Sequence, residues 1–256
     1  MTGRGAGPRG VALVSGGSGA IGKAICHRLH DDGWAVALGY VSRERAEALA
    51  ASLHTEDAPS WAVPLDMSDP ESVRSGIGVL LADVGRVDAA VYNGGLSRTA
   101  PFLETTEEDW AAEVAVNYLG PVLATRLLLP AMLEHQRGSF VAITSEAAKL
   151  GDAGHAPYAS VKAALHAFFR TIVREYGRQG IMANSVAPGP IDTPMLRYAF
   201  PSAEQAGRVI EKLRRLVPAG RLGEPREVAE AVRFLVTEST FIAGQHLSVG
   251  GGVSMN

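Results

Sequence analysis

Short apolar runs alternate with helical patterns from Val11 to Val249, and this alternation restricts the possible folds more than any other feature. The runs are Val11–Ser15, Ala35–Tyr40, Ser60–Leu65, Val87–Tyr92, Ser139–Thr144, Ile181–Ala187 and Gln245–Val249. They are too short for core helices and lack the every-second polar residue of a half-exposed strand. They therefore read as strands buried on both faces. Helical patterns lie between them at Ala20–Asp31, Glu44–Leu53, Pro70–Val84, Glu107–His135 (bent near Pro121), Tyr158–Arg178 and Pro225–Thr237. This order predicts an α/β fold of three layers, doubly wound, with a central seven-stranded parallel sheet.

With 256 residues the chain suits one such domain, expected over 10–256. Residues 1–9 are rich in Gly, Arg and Pro, carry no apolar signal region and read as a disordered tail. One interval breaks the rhythm. Pro188 to Glu224 is too long for an ordinary connection, so a substrate lid is expected at about 190–224, with Met195, Leu196, Tyr198 and Phe200 as its apolar side.

The first strand runs into Ser15-Gly16-Gly17-Ser18-Gly19-Ala20-Ile21-Gly22, which opens the first helix. Glycines there let the backbone approach a pyrophosphate, and the free N–H groups of the helix end favour an anion. A site for the 2′-hydroxyl of NAD usually has an acid at the tip of the second strand. Here the tip reads Tyr40-Val41-Ser42-Arg43. Arg43 can pair bidentately with a 2′-phosphate, so NADP(H) is the expected cofactor, with Tyr40 and Ser42 alongside.

Tyr158 and Lys162 form a Tyr-x-x-x-Lys pair, with Ser145 upstream. Four residues apart on a helix, the two side chains reach the same small volume. A phenol at its ordinary pKa of about 10 is a poor acid–base group near neutrality. A neighbouring ammonium is expected to pull the Tyr158 pKa down.

These pieces, in this order, resemble the single-domain short-chain dehydrogenases/reductases over essentially the whole chain. The matching residues are the Ser15–Gly22 turn, Asp66-Met67, Asn93-Gly94-Gly95, Asn117, Ser145, Tyr158/Lys162 and Pro188-Gly189-Pro190-Ile191-Asp192-Thr193. Within that family the chain looks most like the 3-oxoacyl-(acyl-carrier-protein) reductases, through Asn184–Gly189, Val217–Pro225 and the terminal Gly244-Gln245…Gly251-Gly252. The resemblance implies a Rossmann fold. It also implies a catalytic set of Asn117, Ser145, Tyr158 and Lys162. The implied cofactor contacts are Gly16, Ser18, Ala20, Ile21, Gly22, Tyr40, Ser42, Arg43, Asp66, Met67, Asn93, Gly94, Tyr158, Lys162, Pro188, Gly189, Ile191 and Thr193. The implied activity is NADPH-dependent reduction of a 3-oxoacyl thioester or polyketide ketone by a cytoplasmic homotetramer. The chain departs from the family's pattern at Ala20, at Tyr92-Asn93-Gly94-Gly95, and at Gly250, where the usual residue is Asp.

Two other activities compete. One is an NAD-dependent dehydrogenase of a sugar alcohol, steroid or other secondary alcohol, which the missing acid after the second strand disfavours. The other is a cofactor-sensing protein without turnover, which the complete Asn117/Ser145/Tyr158/Lys162 set disfavours. His155 reads equally as a pocket residue or a solvated loop histidine. Arg170, Arg174 and Arg178, with Arg137, read as a docking stripe for an acidic acyl carrier protein or, preferably, as a solvated helix face.

Composition closes off other classes. A net charge of -3 gives no reason to expect nucleic acid as a partner. The single cysteine, Cys26, cannot make an intrachain disulfide and reads as a small core residue. No metal site is expected. The most apolar stretch, Leu119 to Leu133, contains Arg126 and two prolines and reads as no membrane span.

Overall fold

Seven strands form one fully parallel sheet in the order β3-β2-β1-β4-β5-β6-β7. They are β1 Val11–Ser15, β2 Ala35–Tyr40, β3 Ser60–Pro64, β4 Ala89–Tyr92, β5 Gly138–Ile143, β6 Ile181–Pro188 and β7 His246–Val249. The computed structural model describes residues 8–194, 196 and 202–255. The expected Met195, Tyr198 and Phe200 of the lid's apolar side, and most of the expected tail, lie outside the described residues.

Alternate residues of each strand feed two separate cores, as a period of two requires. Val11 and Leu13 join Ala35, Ala37, Tyr92 and Phe140 on one face. That face is covered by α3 (Pro70–Val84), α5 (Gly120–Glu134) and α7 (Ala156–Tyr176). Ala12 and Val14 join Val36, Leu38, Val91 and Val141 on the other, under α1 (Ala20–Asp31), α2 (Arg43–Leu53) and α9 (Pro225–Thr237). Cys26 is a buried member of this second core.

Four elements differ from the sequence-based expectation. The long helix at 107–135 is continuous but compound. α4 (Glu107–Val114) passes through a π turn at Ala115–Leu119 into α5, and Pro121 sits harmlessly in the first turn of α5. By length and composition alone Glu107–Glu134 could cross a membrane, contrary to the expectation that its prolines and Arg126 break it. Its apolar face instead packs in the core through Ala124, Leu128, Leu129 and Met132. The short helix α6 (Ala147–Leu150) and the 3₁₀ turn Phe102–Glu104 carry too few residues for a periodic signal. The 190–224 segment contains a helix of its own, α8 (Ala203–Leu216), capped by the Ser202 side chain. Ile191 pairs with Gly223 across the base of that segment.

Strand order reverses between β1 and β4. Ligands in open α/β sheets bind beyond the carboxyl ends of the strands at such a switch point. The glycine turn follows β1 and Asn93 follows β4, so the expected cofactor residues and the switch point coincide.

Candidate active site

The turn after β1 is closed by contacts that leave no room for side chains. Gly16 has φ +60, where an L side chain is strained, and a Cβ on Gly22 would lie 2.2 Å from the Gly16 carbonyl oxygen. The departure at Ala20 costs nothing visible, because the methyl sits partly exposed at the helix entry. Ser18 and Ile21 are also partly buried there, Ile21 against the core. Asn93 donates from Nδ2 to the Gly16 carbonyl at 3.0 Å. The Ser15 hydroxyl accepts from the Asn93 and Gly94 N–H groups at 3.1 and 3.3 Å. The strand before this loop is supported differently from the family's pattern. Tyr92 is buried, bonded to Thr125 at 2.9 Å and packed against Phe140 and Phe169.

At the tip of β2, Tyr40 is partly buried, while Ser42 and Arg43 are exposed. Arg43 begins α2, one residue earlier than expected, and pairs with Glu47 at 2.6 Å. Such an exposed pair is held weakly. Asp66 accepts from the Ser68 N–H and hydroxyl at 2.8 and 2.7 Å, so its side chain shapes a turn. Met67 is a core residue; a Cβ on Gly120 would lie 2.3 Å from its carbonyl oxygen. Pro188 ends β6, Gly189 donates to the Val249 carbonyl at 3.1 Å, Ile191 is buried and Thr193 is partly buried.

Lys162 is buried in α7, with Nζ donating to the Ile143 carbonyl at 2.9 Å and lying 5.7 Å from the Tyr158 ring centroid. Asn117 is fully buried in the π turn, a local geometry common at functional sites. Its Oδ1 accepts from the Leu96 N–H at 3.2 Å and its Nδ2 donates to the Leu96 carbonyl at 2.7 Å. Ser145, at the end of β5, accepts from the Ala147 N–H at 3.1 Å. The His155 ring stands edge-on to Tyr158 with centroids 6.1 Å apart, and its Nε2 pairs with the Thr99 hydroxyl at 2.9 Å. His155 thus lies beside Tyr158 rather than free in solvent.

The electrostatics correct one expectation. Burial raises the Tyr158 pKa above 10, hydrogen bonding with Ser145 opposes that, and the Glu113 charge adds to the rise. Burial also pushes the Lys162 pKa down to about 8, which still leaves it mostly an ammonium at neutral pH. At neutral pH Tyr158 is therefore a phenol, in the form that donates a proton.

Two buried carboxylates near the site escaped the sequence reading. Glu113 lies four residues before Asn117, and Glu146 directly follows Ser145. The only signal was a charge on a face otherwise expected to be buried. Arg170 and Arg174 are exposed on α7, and Arg178 is exposed on the 3₁₀ turn that follows it. Arg137 precedes β5 and Arg178 precedes β6, so both lie at the amino end of the sheet, opposite the site. That placement removes them from the site entrance, and Arg137 instead lies over the Trp34 ring at 6.0 Å.

A glycine turn at the switch point of a parallel sheet, beside a partly buried Tyr158 and a buried Lys162, defines a dinucleotide-binding α/β oxidoreductase. Comparison with known proteins makes this narrower. Residues 16–254 match the family model described as "Enoyl-(Acyl carrier protein) reductase". The 3-oxoacyl-[acyl-carrier-protein] reductase of Escherichia coli is 34% identical over 96% of this chain and 97% of its own length. An acetoacetyl-CoA reductase of Rhizobium meliloti is 35% identical over 94% and 97%. The crystal structure of a blue fluorescent protein from a metagenomic library in complex with NADPH superposes with a TM-score of 0.88, at 32% identity over 97% and 99% of the two chains. The chain belongs to the short-chain dehydrogenase/reductase family.

Proposed function

We propose that this chain is an NADPH-dependent reductase that converts a ketone to a secondary alcohol, with a 3-oxoacyl thioester as substrate. The observation that carries the reading is the gathering of Ser145, Tyr158, Lys162 and Asn117 beyond the carboxyl ends of β4 and β5. The acid–base pair is complete, and the phenol is in its donating form. Relatives that reduce 3-oxoacyl carrier proteins and acetoacetyl-CoA support the thioester as substrate.

The residues present fit a dinucleotide phosphate. The Gly16–Gly22 turn is closed so tightly that only glycine fits at 22, and the amino end of α1 provides the N–H groups for a pyrophosphate. Arg43 is exposed, its weak pair with Glu47 displaceable, and would take the 2′-phosphate. Asp66, Met67, Asn93, Gly94, Ile191 and Thr193 complete the proposed cofactor contacts. When bound, the nicotinamide supplies the hydride. Ser145 donates a hydrogen bond to the carbonyl oxygen as charge builds there, and Tyr158 gives that oxygen its proton. Lys162 holds the nicotinamide ribose, and Asn117 keeps the loop at Leu96 against Lys162 and a water-linked proton path beside it. The 190–224 segment acts as the substrate lid, and the protein works as a cytoplasmic homotetramer.

The test is the initial rate of NADPH and NADH oxidation with a 3-oxoacyl thioester, alongside the matching 2-enoyl thioester because of the family description. Fast turnover of the 3-oxo compound with NADPH is expected; turnover of the enoyl compound alone would overturn the reading. Arg43→Ala is expected to raise the NADPH KM about 10- to 100-fold, from the loss of charge-assisted hydrogen bonds. NADH kinetics should stay nearly unchanged. Equal loss with both cofactors would remove Arg43 from the 2′-phosphate.

A further inference from the structure

Two histidines lie stacked at the edge of the sheet. His166 on α7 and His246 on β7 have ring centroids 4.5 Å apart and planes 28° apart. In the parallel pairing of β6 with β7, Ser185 lies beside His246 and Ala187 beside Ser248. Residues two apart on a strand share a face, so His246 and Ser248 both point to the α7 side. Two cations reach that face. Lys149 on α6 donates from Nζ to Ser248 Oγ at 2.6 Å. Arg170 lies one helical turn after His166, with its Cγ 3.6 Å from where a Cβ of Gly244 would stand, two residues before His246.

The hydrogen bonds fix which donors are spare. Thr144 gives its one hydroxyl proton to the Val186 carbonyl at 3.0 Å. Its oxygen therefore accepts from His246 Nε2, 2.6 Å away. This holds His246 as the Nε2–H tautomer and makes Nδ1 the atom that takes up a second proton. His166 pairs through Nδ1 with the Ser185 hydroxyl at 3.2 Å, which leaves its Nε2. Lys149 spends one of its three N–H groups on Ser248, and the Arg170 guanidinium has no acceptor among the described residues. No carboxylate pairs with Lys149, Arg170 or either ring among the described residues. Burial, followed by the surrounding positive groups, holds both rings below the ordinary imidazole range, with His246 pushed down to about 4. Donors of one sign gathered without a counter-charge repel one another, and an anion seated among them would relieve that repulsion.

We propose that this cluster is a binding site for a small tetrahedral oxyanion of the phosphate or sulfate kind, held by Lys149, Arg170 and the Nδ1 edge of His246. It is separate from the glycine turn that would take a pyrophosphate. β7 stands four strands from β1, about 19 Å at the usual strand spacing. The charged or titratable groups facing the two rings are Lys149 from α6 and Arg170 from α7. β5 and β6 contribute only the hydroxyls of Thr144 and Ser185.

The probe is inorganic sulfate, which keeps its double charge across the titration, compared with sodium chloride at equal ionic strength. The readout is the ring C–H NMR signals of His166 and His246 in the full chain, assigned by their loss in His166→Gln and His246→Gln. Sulfate should move both signals saturably. It should also raise the protonation midpoint of His246 by about 1–2 pH units, since an adjoining negative charge favours the imidazolium. Arg170→Gln and Lys149→Gln change side chains that solvent reaches, and each should weaken sulfate binding about 10- to 100-fold, the worth of a charged hydrogen bond. Equal shifts with sulfate and chloride would mean screening alone and overturn the proposal. A sulfate response unchanged in both variants would put the anion elsewhere and overturn it too. Signals that move with protein concentration but not with sulfate would place a second copy of the chain at this edge instead of an oxyanion. The readout is local to the two rings and needs neither substrate nor cofactor, so its failure would leave the proposed reaction untouched.

Discussion

Tyr158→Phe is expected to lower kcat for ketone reduction by about 10²- to 10⁴-fold, the usual worth of a positioned general acid. The affinity for NADPH should stay within about threefold, because the ring that packs beside His155 and over Lys162 is retained. Loss of rate with binding intact is the mark of an interaction made only in the transition state. The pH behaviour supplies a second arm. With its pKa raised by burial, Tyr158 stays protonated through neutrality and into the alkaline range. Ketone reduction should therefore hold up to alkaline pH, whereas alcohol oxidation, which needs the phenolate, should still be rising there. The sign follows from the direction of the shift: a raised pKa extends the acid's range upward and delays the base. Single-turnover rates with NADPH over pH 6–10, beside equilibrium cofactor titrations, measure both arms. A Tyr158→Phe protein with near-normal kcat would remove Tyr158 from the reaction. Equal losses in binding and rate would make it a cofactor ligand only.

The sheet was legible because its five inner strands are largely buried on both faces and stand out from the polar-faced helices, while the partly buried edge strands β3 and β7 were read from their place in the alternation. The switch point was legible because only glycines tolerate the closeness of Gly16 to Gly22. What pattern could not reveal was the charge inside. Tyr-x-x-x-Lys gives the spacing of a phenol and an ammonium, but the sign of the shift depends on how much water reaches each. Burial of Lys162 comes from α7 packing against the end of β5 and the π turn, elements far from it in sequence. The helix α8 was missed although its sequence carries an apolar stripe at helical spacing, Ala206, Val209, Ile210 and Leu213, because the whole interval was read as one lid segment. The π turn left no trace, since the residues on both sides of it read as one helix.

Gly250→Asp is expected to destabilise this chain, although Asp is the family's usual residue at that position. The sequence alone left the end of the last strand without its customary carboxylate. The structure shows another one beside it. A Cβ on Gly250 would lie 2.9 Å from Glu146 Oε1, 3.1 Å from its Cγ and 3.2 Å from its Cδ. Glu146 is 4% exposed and both its oxygens are buried without a hydrogen-bond partner among the described residues. Its backbone is fixed to β6, with the N–H donating to the Pro188 carbonyl at 3.0 Å, so it has little freedom to withdraw. An aspartate would add steric overlap and a second buried negative charge, at a cost of about 2–4 kcal/mol. For a chain of this size that lowers Tm by roughly 5–15 °C. Glu146→Ala in the same background should restore most of the loss, because it vacates the space and leaves one carboxylate in place of two. The coupling between the two substitutions should reach about 1–3 kcal/mol, as for other residues in contact. Glu146 follows Ser145 directly, so the single Gly250→Asp variant should also lose ketone reduction, and the double variant should regain it together with Tm. Thermal unfolding of the four proteins decides the matter. A single variant as stable as the parent, or a double variant no better than the single, would mean that the carboxylate of Glu146 does not occupy the space of the family's aspartate.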